Sequence, residues 1–210
     1  VFLRNHRDLD HLLSAIHTYS SASNAHLNFH KTEAISLSGQ PLPQWQQPLQ
    51  SRNIFSWHDR HSPFPFIHLG FPIIFSLKQC SIAFEKLETT FSSACNIHSQ
   101  RNLSVRGRAT VLNTLIFSKL SHVLRLTTFP QQQIHRLLSI GSRFINHHIF
   151  PPLSLATLRL PRKQGGLQVL NLISQQQALQ WRWASTLLHS SSPSNSLSPA
   201  SFLRYTFEWF

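Results

Sequence analysis

The stretch Leu103–Ser104–Val105–Arg106–Gly107–Arg108–Ala109–Thr110–Val111–Leu112–Asn113–Thr114–Leu115–Ile116–Phe117–Ser118–Lys119–Leu120 carries the period that decides the fold class. Val105, Ala109, Leu112, Ile116 and Leu120 recur at three- and four-residue steps, which places them on one helix face. Ser104 stands just before them, where its hydroxyl can accept a first-turn N–H that has no partner inside the helix. Working outward, Leu77, Cys80, Phe84, Leu87, Phe91 and Ala94 predict a second helical seam on the N-terminal side. On the C-terminal side Ile134, Leu137, Leu138, Phe144 and Ile145 predict a third, with Thr128 and Gln131 at capping-box spacing and Pro130 in the first turn. A last amphipathic helix is expected from about Asn171 to Leu188. Helices of these lengths form a bundle.

The first third of the chain reads differently. Val1–Phe2–Leu3 suggests the end of a strand, followed by a helix with Leu9, Leu12, Leu13, Ile16 and Tyr19 on one face. Asp8 and Asp10 suit its first turn, and Ser23–Asn24 can end it. Leu27–Asn28–Phe29 and Ala34 to Leu37 read as strands, and Gly39 to Gln50, with Pro41, Pro43 and Pro48, as a loop. Ile54 to Trp57 and Phe64 to Leu69 read as a hairpin or two short strands, with Pro63 and Pro65 near an edge. The expected fold is therefore α+β: short antiparallel strands and a helix over residues 1–74, then a mostly α-helical bundle over 75–150. A connection with a Gly165–Gly166 turn and a helix follows over 151–189, then a Ser/Pro-rich linker over 190–210.

Lys and Arg number 19 against 7 Asp and Glu, a formal charge of +12. No acid occurs between Glu88 and Glu208, while Arg101, Arg106, Arg108, Lys119, Arg125, Arg136, Arg143, Arg159, Arg162, Lys163, Arg182 and Arg204 do. Such a face has no carboxylates of its own to neutralise it, and a phosphate backbone is its natural counter-charge. A basic surface serving only solubility is the plainer alternative. The 14 histidines add charge as pH falls below the range where a free imidazole titrates.

Metal and nucleophile chemistry find little here. Cys95 and His98 have finger-like local spacing, but Cys80 is far off and a second close pair is missing, so a buried thiol is the expectation. Asp8 and Asp10 point about 200° apart on a helix. Glu85 and Glu88 beside Lys86 suit a solvated face better than a cation site. Two cysteines without paired spacing suggest a reducing compartment. The apolar run from Phe64 to Leu77 is too short to cross a bilayer.

Five motifs in order carry a resemblance. Tyr19 to Thr32 contains a helix leading into Leu27–Asn28–Phe29–His30–Lys31–Thr32. Phe66 to Pro72 contains His68–Leu69–Gly70, and Leu103 to Arg108 reads Leu-Ser-Val-Arg-Gly-Arg. Leu160 to Leu167 contains Pro161 and Gly165–Gly166–Leu167, and Ala178 to Trp183 follows. Together they resemble the late palm, thumb and post-thumb connection of non-LTR (LINE-type) retrotransposon reverse transcriptases. Departures include His68 in place of Tyr, Asn24 and Gln168 where glycine is usual, and Asn146 where Trp is frequent.

The resemblance implies an RNA-directed DNA polymerase whose magnesium-holding aspartates would lie just before Val1. This chain alone is then expected to have no catalytic residue, no metal and no polymerase activity. Lys31 would have an auxiliary role near the incoming nucleotide. His68, Leu69 and Gly70 would shape a primer-grip-like hairpin. The partners implied are an RNA template, a DNA primer and the upstream palm and fingers, within the nucleus or cytoplasm. Arg101, Arg106, Arg108, Lys119, Arg125, Arg162, Lys163 and Arg182 are the expected phosphate contacts. Two alternatives are a free-standing basic helical nucleic-acid-binding module and a non-functional relic of a mobile element.

Overall fold

Asn5 turns the chain from extended into helical backbone and starts α1 (His6–Ser23). Its side chain accepts the Asp8 N–H while Asp8 accepts the Asn5 N–H, a reciprocal cap that satisfies two otherwise orphaned donors. Asn24 ends the helix at φ 55°. The computed structural model describes residues 1–189, mostly helical with a few short strands, so the chain is a mixed α+β protein. The linker expected over 190–210 lies outside the described residues.

The described chain divides into two compact units. The first comprises Val1–Phe66 and Ile73–Ile82; the second contains Ile67–Pro72 and the chain from Ala83 onward. In the first, Leu9, Leu49 and Ile54 form a small core, with Leu3, Leu13, Phe29, Ala34, Trp45 and Trp57 packed against it. Strands β1 (Glu33–Ile35) and β2 (Ser56–His58) pair in parallel, Ala34 opposite Trp57. Of the two readings of Ile54–Trp57 and Phe64–Leu69, two separate short strands is the one found, and the parallel pairing of β1 with β2 departs from the expected antiparallel strands. Parallel pairing requires a long crossover, and residues 36–55 supply it, including a short helix α2 (Gln46–Gln50) inside the expected loop.

Two further expectations fail locally. Residues 1–3 form no strand. Leu27–Asn28–Phe29 leads instead into a tight 3₁₀ turn over Phe29–Lys31: Asn28 Oδ1 accepts the Lys31 N–H at 3.2 Å, and the Thr32 hydroxyl donates to the Asn28 carbonyl at 2.9 Å. Such local side-chain bonds compete with an extended ladder and here prevail over it.

Strands β3 (Phe66–His68) and β4 (Phe71–Ile73) pair as a hairpin, of which Ile67–Pro72 belongs to the second unit. Helix α3 (Leu77–Ser99) enters it from Ala83, burying Phe84, Phe91, Ala94 and Cys95. The opening stretch forms α4 (Val105–Val111), a single π turn over Leu112–Ile116 and α5 (Phe117–Leu124), and Ser104 caps α4 by accepting the Gly107 N–H. The π turn adds a residue to the helix, so Ile116 and Phe117 are both buried although adjacent.

Helix α6 (Gln131–Ile145) buries Ile134, Leu137, Leu138, Phe144 and Ile145, as its spacing predicts. The expected capping box does not form: Pro130 caps without a side-chain bond, and the Thr128 hydroxyl accepts from Gln180 Nε2. Short α7 (Leu155–Arg159) and long α8 (Leu172–His189) complete the described chain, and α8 packs on both α5 and α6. Phe84 meets Phe129 edge-on at 5.6 Å and Phe91 stacks on Phe117 at 5.8 Å. Each such buried ring contributes roughly 1.5–3 kcal/mol by leaving water.

Candidate nucleic-acid interface

The basic residues of the second unit fall into two kinds. Arg101, Arg106, Lys119, Arg125, Arg143, Arg162, Lys163 and Arg182 are exposed. Arg108 is half-buried, with its guanidinium committed to backbone: Nε donates to the Leu103 carbonyl at 3.1 Å, and Nη1 donates to the carbonyls of Ile145, at 2.8 Å, and His147. Those last two acceptors lie at the C-terminus of α6, where carbonyls run out of partners within the helix. Arg108 therefore ties α4 to the end of α6, a structural task beside its expected place among the phosphate contacts.

Arg136, also half of an expected free face, pairs with Glu88 on α3; its Nε reaches Oε1 at 3.0 Å and its guanidinium carbon lies 5.3 Å from the Phe84 ring. With Glu88 taken, the exposed cations that follow it have no carboxylate beside them in sequence up to residue 207. Arg106, Lys119 and Arg125 lie along the continuous α4–π–α5 rod. At 1.5 Å per residue it spreads them over about 28 Å, long enough to follow several consecutive phosphates.

The turn bearing Arg162 and Lys163 is fixed by its glycines. Gly165 stands at φ 81°, closing the 3₁₀ turn over Arg162–Gln164. At Gly166 a Cβ would fall 2.0 Å from the Leu160 carbonyl oxygen, closer than any side chain permits. Asn113, inside the π turn, holds the next segment. Its Nδ2 donates to the Gln168 carbonyl at 2.9 Å and its Oδ1 accepts the Leu170 N–H at 3.1 Å. Asn146 does the same for the chain after α6, bonding both the carbonyl and the N–H of Leu153. Sequence reasoning singled out neither asparagine as a clamp; an isolated Asn inside a helical pattern was the available signal.

Hairpin residues His68, Leu69 and Gly70 are exposed, Leu69 by 79%. Lys31 is exposed on the 3₁₀ turn of the first unit. Of the Leu-Asn-x-x-Lys-Thr motif, Asn28 and Thr32 have a visible task, which is to make that turn.

Asp8, Asp10, Glu33 and Asp59 have their contacts within the first unit. Asp8 caps α1, its carboxyl held below the usual range by the Arg4 N–H and, in addition, the Asn5 N–H. Asp10 pairs with Arg52, and Glu33 lies 3.5 Å from His58 Nε2. Asp59 is buried. Burial opposes its ionisation, but bonds from Trp57 Nε1 and the His61 and Ser62 N–H groups outweigh that and hold its carboxyl low. Among the described residues no three of His, Cys, Asp and Glu stand together as a metal site. Cys95 is buried, and burial pushes its thiol up to about 11. No described helix is long and apolar enough to cross a membrane. Compared with family models, curated proteins and solved structures, the chain matches none of them.

Proposed function

We propose that this chain is the duplex-holding part of a LINE-type reverse transcriptase, gripping a primer–template hybrid while carboxylates outside the described residues perform nucleotidyl transfer. One observation carries the reading: the second unit presents Arg106, Lys119, Arg125, Arg162 and Lys163 to solvent across an acid-free stretch, on a scaffold pinned by Asn113. Cations placed this way displace condensed counterions from a phosphate backbone and follow its direction without reading sequence.

Further support comes from two departures from the family pattern. Asn24 and Gln168, where the resembled family usually has glycine, stand at φ 55° and 56°. Their backbone keeps the left-handed conformation that glycine adopts at least cost. A free-standing nucleic-acid-binding module is the second reading, favoured by the commitment of Asp8 to a helix cap and of Asp10 and Glu88 to ion pairs.

The test is binding of the full chain to an RNA–DNA hybrid as salt is raised. If Arg101, Arg106, Lys119, Arg125, Arg162 and Lys163 each displace one counterion, log K falls against log salt with a slope of about −5. Replacing Arg106, Lys119 and Arg125 together by alanine should flatten that slope by about 2.7. An unchanged slope rejects the reading.

A further inference from the structure

The tip of the β3–β4 hairpin is a turn that its own sequence disfavours. Leu69 and Gly70 stand at φ 50° and 84°, the combination of a two-residue type I′ turn. Asn–Gly suits that turn. Leucine in its first position brings Cβ against the following carbonyl and offers no polar group in compensation. Nor does burial hold it, since Leu69 is 79% exposed.

What holds the tip comes from α5. His122 Nε2 lies 3.2 Å from the Leu69 carbonyl oxygen, and because a carbonyl only accepts, Nε2 is the donor. The same ring packs on Phe71 with centroids 3.9 Å apart. A Cβ built on Gly70 would stand 3.2 Å from Nε2, so the imidazole occupies the space a side chain there would need. At the base of the hairpin, the buried Thr127 reaches the Pro72 carbonyl at 3.5 Å.

We infer that His122 is a positioning residue that latches the hairpin tip to α5 and keeps Leu69 in its left-handed turn. Lys119 and Arg125 lie three residues to either side of His122. The latch therefore presents the apolar tip beside these two cations as one surface. That last consequence rests on the nucleic-acid reading; the latch itself does not.

The test follows amide exchange of residues 69–71 in the full chain. His122→Ala should speed it about five- to tenfold, the effect of losing one modest hydrogen bond, without a matching change in α6. Leu69→Asn, which suits the turn unaided, should reduce the effect of His122→Ala to less than twofold. His122→Gln, whose amide can donate, should restore part of the protection. In the wild-type chain, nitrogen chemical shifts should place the proton of a neutral His122 on Nε2. A neutral ring protonated only at Nδ1, unchanged exchange, or faster exchange throughout the second unit overturns the latch. Faster tip exchange with unaltered hybrid affinity overturns the presentation to a duplex.

Discussion

Replacing Arg108 with alanine should harm stability, whereas the same change at Arg106, two residues earlier, should harm binding. Arg108 bonds the carbonyls of Leu103, Ile145 and His147 and thereby closes the C-terminus of α6. A hydrogen bond to a charged donor contributes about 1.5–3 kcal/mol when its partner is buried. Part of this site is solvent-exposed, and freed carbonyls can bond water, so the sum for all three is about 2–3 kcal/mol. For a unit of this size that lowers Tm by about 8–12 °C. Arg106 is exposed, and its removal should change stability by no more than about 0.5 kcal/mol while reducing the salt slope of hybrid binding by about 0.9. Arg108→Lys keeps the charge but cannot serve three carbonyls with a planar fork, so it should behave like the alanine variant in melting and like wild type in salt slope. Calorimetry and a salt-dependent binding titration on the variants decide the matter. Equal melting of the two alanine variants would refute the assignment of Arg108.

Other consequences concern the turns and the buried groups. Gly166→Ala would drive a methyl against the Leu160 carbonyl and should cost at least about 3 kcal/mol, whereas Gln168→Gly should stabilise by about 1 kcal/mol by relieving a left-handed glutamine; thermal melts read both. Asp59 has a lowered carboxyl pKa in the fold, so its stabilising contribution is full above the unfolded value, about 3.9, and is lost as pH falls through the lower folded value. Acid titration should show that loss in wild type, and Asp59→Asn should remove this component of the pH dependence. The Cys95 thiol, pushed up to about 11, should resist alkylation at pH 8 until the chain unfolds, with the half-buried Cys80 reacting first in a peptide-mapped time course.

The helical unit was legible because its apolar residues repeat near 3.6 over long segments, and Ile134, Leu137, Leu138, Phe144 and Ile145 are buried as that period requires. What broke the period was harder to read. Ile116 and Phe117, adjacent and both apolar, are the trace of the π turn, yet a regular helix can also carry one such residue at its flank. The strands were poorly legible because three residues provide almost no alternation, and partner choice between β1 and β2 depends on a distant segment. Thr128 and Gln131 met the capping spacing, but Gln180 took the threonine hydroxyl from 52 positions away.

Much the same limit applied at the candidate interface. An acid-free basic stretch can be read from the letters alone. The commitment of Arg108 cannot, because its acceptors at Ile145 and His147 lie 37 and 39 positions along the chain. Gly165 and Gly166 could be recognised together as a turn, whereas their separate reasons, a left-handed backbone and a carbonyl at 2.0 Å, needed coordinates.

The contact surface itself can be mapped directly by photocrosslinking the full chain to an RNA–DNA hybrid carrying a photoreactive nucleotide and sequencing the adducts. Adducts concentrated in the peptides bearing Arg106, Lys119, Arg125 and Arg162–Lys163, and suppressed by rising salt, are the predicted result. Adducts confined to the first unit, or none above those formed with an unrelated polyanion present in excess, would contradict it.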